Sequence, residues 1–346
     1  MKDVLYGKTL KELQEICESF NQKKFVAKQL ADWLYKKDAE DIQDMSNLSK
    51  SFREQLSEQY SLGLSPYINV LTSKDGTKKY LFQYSEEVYV EAVVIFDGER
   101  ATLCISTQAG CKMNCDFCAT GKQGFKRNLT ANEILNIFRE IDEFHQIKNI
   151  VFMGMGEPLD NWKEVKKTLE VLTSDYAYAF SPHRITVSSS GFMPFMQKFL
   201  DETEVDVAIS LHNPISEERQ EMMPIEKAYP IEKTINLLKH YNWKGQRHLT
   251  FEYIVFDGLN NQPRHIKKLC QLLNGLSCRI NLIRFHTIPN TPYKGVSDQE
   301  MIAFRDALNK KSILTTIRAS KGEDIMAACG LLSTKKLQES KSLTEE

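Results

Sequence analysis

Residues 101–130 read ATLCISTQAGCKMNCDFCATGKQGFKRNLT, and three of the chain's eight cysteines, Cys111, Cys115 and Cys118, fall inside them. The apolar and β-branched run at 103–107 predicts a strand immediately before the cysteines. Thr130, with Glu133 three residues on, forms a capping box, so the cysteine-bearing loop ends where a helix begins. Three thiols on one short loop, in the spacing C-x3-C-x2-C, suit three corners of an iron–sulfur cube, and the lack of a nearby fourth cysteine leaves one iron open. Zinc is the competing reading, but the two-plus-two ligand spacing is missing and no histidine lies in the loop.

Outward from this stretch, strand-like and helix-like runs alternate. The strand-like ones are 103–107, 150–155, 184–188, 205–211, 249–256 and 279–285. Six such units predict an α/β fold, a parallel sheet curled into a partial (β/α)6 barrel across residues 100–332. Chemistry in such folds collects at the carboxyl ends of the strands. Here those ends read QAGCKMNC, GMGEP, SSSG, SLHN, DGLNN and RFHTIPN, rich in glycine and polar residues. Residues 312–318 suggest one more strand, and 333–346 form a charged tail expected to fray.

Ahead of the barrel, residues 66–99 carry β-branched and aromatic runs at 79–83 and 88–96, with Asp75-Gly76 as a turn, and predict a β-rich connecting segment. Residues 1–65 show helical periodicity alone. Thr9 and Glu12 form a capping box; Phe25, Leu30, Trp33 and Leu34 share a face; Phe52 and Leu56 mark a third helix. This unit is expected to be a small all-helical domain whose Lys23, Lys24, Lys28, Lys36 and Lys37 either are solvated or face an anionic partner.

The 346 residues are 42% apolar, enough for one large domain and a smaller one, and 45 basic residues balance 46 acidic ones. No overall field draws the chain to nucleic acid, so any such binding would rest on local patches. The first twenty residues mix charges through a helical pattern, and no eighteen-residue apolar run exists, which predicts a cytoplasmic protein without a membrane anchor.

The C-x3-C-x2-C loop after the first strand resembles the radical S-adenosylmethionine superfamily. Together with MGMGEPLDN, SLHNP and GEDIMAACG, in that order, it resembles more narrowly the RlmN/Cfr family of RNA adenine methyltransferases, from the N-terminus to about residue 332. The resemblance implies one 4Fe-4S cluster on Cys111, Cys115 and Cys118, and two S-adenosylmethionine molecules per turnover. Gly156 and Glu157 would hold the cofactor's amine end. Ser188, Ser210, Leu211 and His212 would line its ribose and methionine. Where the family often has asparagine after the sixth strand this chain has His286, whose imidazole still offers one hydrogen bond.

The resemblance also implies the chemistry. Adenine C2 is too electron-poor for ordinary displacement, so a radical route is used. Cys329, in AACG, would first become S-methylcysteine; an adenosyl radical would then activate that methyl group, which adds to the ring and tethers the RNA. Glu91 would take the C2 proton, and Cys104 would release the product through a transient disulfide with Cys329. Read alone, Cys104 is a small core residue and Glu91, in VYVEAVVIF, is exposed on one strand face or buried for a reason; burial would raise its pKa and suit a base. Cys17, Cys270 and Cys278 read as structural.

The implied substrates are 23S ribosomal RNA at the peptidyl-transferase region and transfer RNA beside the anticodon, methylated at adenine C2. An electron donor such as flavodoxin or ferredoxin would serve a monomer. Lys122, Lys126, Arg127, His183 and Arg184 are candidate phosphate contacts around the site. The alternatives are the family's C8-methylating, resistance-conferring branch and a metal-containing RNA-binding module without catalysis.

Overall fold

Thr9 Oγ1 accepts from the Glu12 amide at 3.3 Å and the Glu12 carboxylate accepts from the Thr9 amide at 2.7 Å, so the first helix starts where the sequence places it. In the computed structural model, which describes residues 2–333, a two-residue strand (β1, Asp3–Val4) precedes that helix (α1, Leu10–Ser19), and α2 (Lys24–Tyr35) and α3 (Lys50–Gln59) follow. A further strand (β2, Tyr60–Ser61) pairs parallel with β1, so the unit expected to be all-helical is tied shut by a strand pair. Its core is Val26, Leu30, Leu34, Phe52 and Leu56; Phe25, expected on the buried face, is 59% exposed. One position of helical phase decides this, since Val26 takes the inward direction.

The turn at Asp75-Gly76 forms as predicted: Gly76 has φ +84° and donates to the Ser73 carbonyl at 3.0 Å. It joins β3 (Asn69–Thr72) to β4 (Lys78–Ser85), which pairs antiparallel with β5 (Val88–Asp97). These strands are not a separate connecting layer. They continue the main sheet through β6 (Arg100–Cys104). The first barrel strand therefore begins and ends three residues earlier than expected, and residues 105–107 instead run on as extended chain, with Ile105 and Thr107 donating to Val151 and Met155.

The expected cysteine loop is itself ordered by β7 (Gln108–Gly110), α4 (Ala119–Gln123) and β8 (Phe125–Asn128), the two strands pairing antiparallel. Gly110 has φ +78°, and a Cβ there would lie 1.7 Å from the Gly124 carbonyl oxygen, so only glycine permits this approach. Beyond it the alternation holds: α5 (Ala131–Glu140), β9 (Ile147–Phe152), α6 (Trp162–Thr173), β10 (Ile185–Ser189), α7 (Met193–Glu202) and β11 (Asp206–Ser210). Three helices, α8 (Ser216–Met222), α9 (Ile225–Ala228) and α10 (Ile231–Leu238), then lead to β12 (Leu249–Val255), α11 (Pro263–Leu272), β13 (Arg279–Arg284), α12 (Asp298–Asn309) and β14 (Leu314–Ile317).

The sheet has ten strands in the order β14-β13-β12-β11-β10-β9-β6-β5-β4-β3, parallel from β14 to β6. Most of its parallel strands alternate buried residues with partly exposed ones, as in β9, β10 and β13, whereas in central β12 six of the seven residues are buried. Among the described residues no helix is long and apolar enough to cross a membrane. Residues 334–346, most of the expected charged tail, lie outside the described residues.

The helical unit is fixed to the β/α body by backbone mimicry. Asn136, fully buried on α5, accepts from the Ser65 amide and donates to the Ser65 carbonyl, both at 2.8 Å. Asn136→Ala strands both Ser65 groups and is expected to cost about 2 to 4 kcal/mol of folding stability. Equilibrium denaturation by urea would show this; a loss below about 0.5 kcal/mol would mean that water replaces the amide.

Candidate active site

The carboxyl ends of the parallel strands open onto two adjoining cavities. One, of about 160 Å³, is lined by Cys111, Cys115, Cys118, Gly156, Glu157, Ser188, Ser210 and His212. The other, of about 210 Å³, is lined by Cys104, Thr120, His286 and Ser320. Cys118, Met153, Gly154, Arg318 and Cys329 line both, so Cys329 stands at the junction.

The cysteine loop is pinned from both sides. Cys111 donates its amide to the Gly124 carbonyl at 3.2 Å, and Asp116 donates to Met222 at the end of α8 at 2.9 Å. Burial pushes the Cys111 thiol up to about 12, and the Cys115 and Cys118 thiols up as well. Thiols this desolvated would need a cation on the sulfur to ionise readily. Among the described residues no three His, Cys, Asp or Glu side chains are gathered closely enough to hold a single metal ion. In the neighbouring cavity wall, the Glu252 Oε2 atom is buried without a hydrogen-bond partner, and burial raises that carboxyl group's pKa. Three thiols and polar groups facing one cavity are a donor set suited to a cluster with a polar ligand beside it.

Gly156 has φ +102°, and a Cβ there would meet Gln108 at 2.6 Å, so it is required both by the turn and by close packing. Glu157 is 3% exposed and already engaged: its carboxylate accepts from the Ser190 amide and hydroxyl at 2.8 and 2.7 Å and from Leu159 at 3.2 Å. Burial raises its pKa, and the Ser190 donors oppose that. The side chain thus locks the GMGEP turn to the end of β10 while facing the cavity.

His212 sits in the left-handed region, φ +54°, with its ring against the edge of Phe117 at 4.8 Å. Its Nδ1 accepts the Ile254 amide at 3.0 Å, which leaves the proton on Nε2. Burial, with Arg219 nearby, pushes its pKa down to about 3. Leu211 does not line the cavity; its side chain is fully buried and only its carbonyl contributes, to Arg219. His286 lines the second cavity and lies 3.0 Å from the Ser320 hydroxyl, apart from the serines at the ends of β10 and β11.

Cys104 is 8% exposed, and burial pushes its thiol up to about 12, an effect that Cys329 adds to and Arg318 opposes. Arg318 is drawn toward its charged form first by Cys329 and then by Glu252 and Cys104, against burial, and its Nη1 approaches the Met153 sulfur at 3.5 Å. Glu91 lines neither cavity: it is 1% exposed, with Oε1 3.0 Å from Lys79 Nζ and Oε2 accepting the Ser333 amide at 2.9 Å. Desolvation raises its pKa and Lys79 opposes this.

Arg219, Arg318 and Lys79 carried no signal in the sequence reading. Arg219 is the clearest case. SEERQEM reads as a solvated helix, yet Arg219 is fully buried, donating to the carbonyls of Ser190, Ser210 and Leu211 at 2.9, 2.8 and 2.9 Å and pairing with buried Glu226.

The candidate phosphate contacts are divided by the fold. Lys122 is tied to Asp116 and the Asn290 carbonyl, Lys126 to Glu87, and Arg127 grips Glu133 with both guanidinium nitrogens. His183 and Arg184 precede β10, at the amino ends of the strands, and so lie at the opposite edge from the cavities instead of around them. The five N-terminal lysines are all exposed.

Two family models match: the Radical SAM superfamily over residues 105–270 and the ribosomal RNA large subunit methyltransferase N-terminal domain over residues 4–62. A Phocaeicola vulgatus protein named "Probable dual-specificity RNA methyltransferase RlmN" is 51% identical over 99% of this chain and 98% of its own length. The chain belongs to the RlmN family of radical S-adenosylmethionine methyltransferases. A Syntrophus aciditrophicus member, "Dual-specificity RNA methyltransferase RlmN", is 41% identical over 96% of each chain. A solved radical SAM methyltransferase from Sphaerobacter thermophilus superposes with a TM-score of 0.88 at 35% identity, covering 95% of this chain and 99% of that one. Membership in the superfamily brings a 4Fe-4S cluster and S-adenosylmethionine to the site.

The His212 ring is expected to stay neutral, with the proton on Nε2, between about pH 5 and 8. Its stabilising contribution is complete above the unfolded value of about 6.5 and is lost as pH falls toward about 3. Ring nitrogen shifts of the cluster-free protein would report this; titration near the ordinary value would show that the ring is solvated.

Proposed function

We propose that this protein forms 2-methyladenosine in 23S ribosomal RNA and in transfer RNA next to the anticodon, through a methyl group carried on Cys329. The observation that carries the reading is the position of Cys329, on the wall shared by the cysteine-lined cavity and the one containing Cys104. A sulfur there faces the cofactor side and the substrate side at once. Cys111, Cys115 and Cys118 hold the cluster; Gly156, Glu157, Ser188, Ser210, Leu211 through its backbone, and His212 form the cradle for S-adenosylmethionine. When bound, the cluster and two S-adenosylmethionine molecules per turnover supply the methyl group and the radical that activates it.

The chain's own groups do the rest. Cys329 accepts the methyl group and then tethers the base. Glu91, held beside the same segment, takes the C2 proton. Cys104, across the second cavity, attacks the Cys329 sulfur: the S–S bond forms as the S–CH2 bond to the base breaks, its electron pair leaving with the methylene carbon, which takes a proton to become the methyl group. Arg318, half-buried and lining both cavities with Cys329, stabilises negative charge as either thiol ionises. His286, on the substrate side, is a contact for the base or the cofactor ribose.

The relatives favour C2 over C8 and an enzyme over a passive RNA-binding module, since those of 51% and 41% identity are named as dual-specificity RNA methyltransferases. Phosphate contacts fall to the exposed lysines of the helical unit and to Lys122 and Lys126 at the rim. A flavodoxin or ferredoxin supplies electrons to a monomer in the cytoplasm.

Anaerobically reconstituted enzyme, given S-adenosylmethionine and 23S fragments, is expected to yield 2-methyladenosine by mass spectrometry. Cys329→Ala should abolish it. Cys104→Ala should stall as a protein–RNA adduct on Cys329. Cofactor cleavage with no methylated RNA from any of the three proteins would overturn the substrate assignment, and 8-methyladenosine would overturn the position.

A further inference from the structure

Lys79 and Glu91 lie on adjacent antiparallel strands. Leu81 pairs with Glu91 and Lys79 with Val93, so the two charged residues are diagonal neighbours on one face of β4 and β5. Both are almost wholly withdrawn from water, at 8% and 1% exposure. A buried lysine opposite a buried carboxylate is a costly way to join two strands, and an apolar pair would do it as well. The arrangement calls for a reason beyond sheet pairing.

That reason lies in what else the pair touches. Lys79 Nζ lies 3.0 Å from Glu91 Oε1 and 3.4 Å from the carbonyl oxygen of Met326, to which it donates. Glu91 Oε2 accepts the amide of Ser333 at 2.9 Å. Met326 and Ser333 flank Cys329 on either side in the chain. The ion pair therefore grips the cysteine-bearing segment at both ends, Lys79 on one side and Glu91 on the other. The same segment is held from the β3–β4 turn, where Ser73 and the Lys74 amide donate to Asp324 and the Gly322 amide donates to Asp75.

We propose that Lys79 is a positioning residue for proton removal: it keeps the Glu91 carboxylate charged in the absence of water and sets it in register with Cys329. This rests on the reading of Glu91 as the group that takes the C2 proton. In that step the C2–H bond breaks, its electron pair stays with the ring system, and the proton goes to a Glu91 oxygen, so the carboxylate must be ionised beforehand. Among the described residues, Lys79 is the ionisable side chain acting on Glu91; the carboxylate also accepts the Ser333 amide, and Met155 meets the Glu91 amide through its sulfur. Without the ammonium, what opposes burial among the described residues is the Ser333 N–H, and the carboxyl stays protonated to higher pH.

The test is the pH dependence of 2-methyladenosine release in a single turnover by reconstituted enzyme whose Cys329 has been methylated, as verified by intact mass. Lys79→Gln keeps a donor for Met326 and removes the charge. Its acid limb should move upward by about one pH unit or more, with the adduct accumulating below it and Cys329 methylation unchanged. Lys79→Arg should restore the wild-type limb. A Lys79→Gln profile superimposed on a productive wild type overturns this inference alone, whereas a wild type that makes no 2-methyladenosine overturns the functional reading and this inference with it. Should Lys79→Gln not fold, Lys79→Arg decides: a displaced limb in the folded arginine variant overturns the proposal.

Discussion

A parallel sheet ends in a row of carbonyls with no further strand to pair them, and in this protein the site is built on how those carbonyls are satisfied. Arg219 supplies the donors. From α8 its guanidinium reaches Ser190, Ser210 and Leu211, so one side chain joins the ends of β10 and β11 at the floor of the cofactor cavity. The cysteine loop rests on the same helix through Asp116 and Met222. Cluster loop and cofactor cradle therefore share one support. A planar cation with five fixed donors suits this task, which a lysine could not perform in the same geometry.

Such a support is expensive. Taking an arginine wholly out of water costs several kcal/mol unless it is matched, and Glu226, itself 1% exposed, is the match. The pattern recurs at Lys79 with Glu91 and, with neutral donors in place of a cation, at Glu157 with Ser190. Each buried charge ties together segments distant in sequence at the same rim of the sheet. Apolar contacts of similar size would give comparable stability with less directional control, so geometry is what these pairs contribute. Glu252 Oε2, buried without a hydrogen-bond partner, belongs to a residue of the cavity wall, where a ligand's polar group would meet it.

Local rules explain what was legible in the sequence. The Thr9–Glu12 and Thr130–Glu133 boxes and the Asp75-Gly76 turn each depend on residues within a few positions of one another, and each appears as expected. What failed to show depends on pairing across the fold. The phase error at Phe25 and the three-residue shift of β6 turn on which neighbour an element packs against. No sequence pattern marks the antiparallel strands as continuing the parallel sheet, because alternation looks the same in a separate layer. Nothing local marks Arg219 or Lys79, because long basic side chains are usually solvated and only the facing Glu226 and Glu91 explain their burial. His183 and Arg184 lie close to a strand in sequence, but the strand's direction puts them at the end away from the cavities.

On the proposed reading, the placement of Cys329 also bears on how two different cofactor events share one enzyme. The segment that carries it is bonded to the β3–β4 turn, to Lys79 and Glu91, and to Ala119 and Thr120 just past the cluster loop, the last two through Gly330 and Leu332 at 2.8 and 2.7 Å. Ordering the last dozen residues of the described chain costs conformational entropy at every position, and these bonds to three separate elements offset it. A sulfur so fixed, lining both cavities, has no distance to cover between receiving a methyl group and presenting it. What changes between the two events is the occupant of each cavity. Reaction partners brought to a stationary group keep the advantage of prior orientation, which a swinging loop would surrender on every cycle.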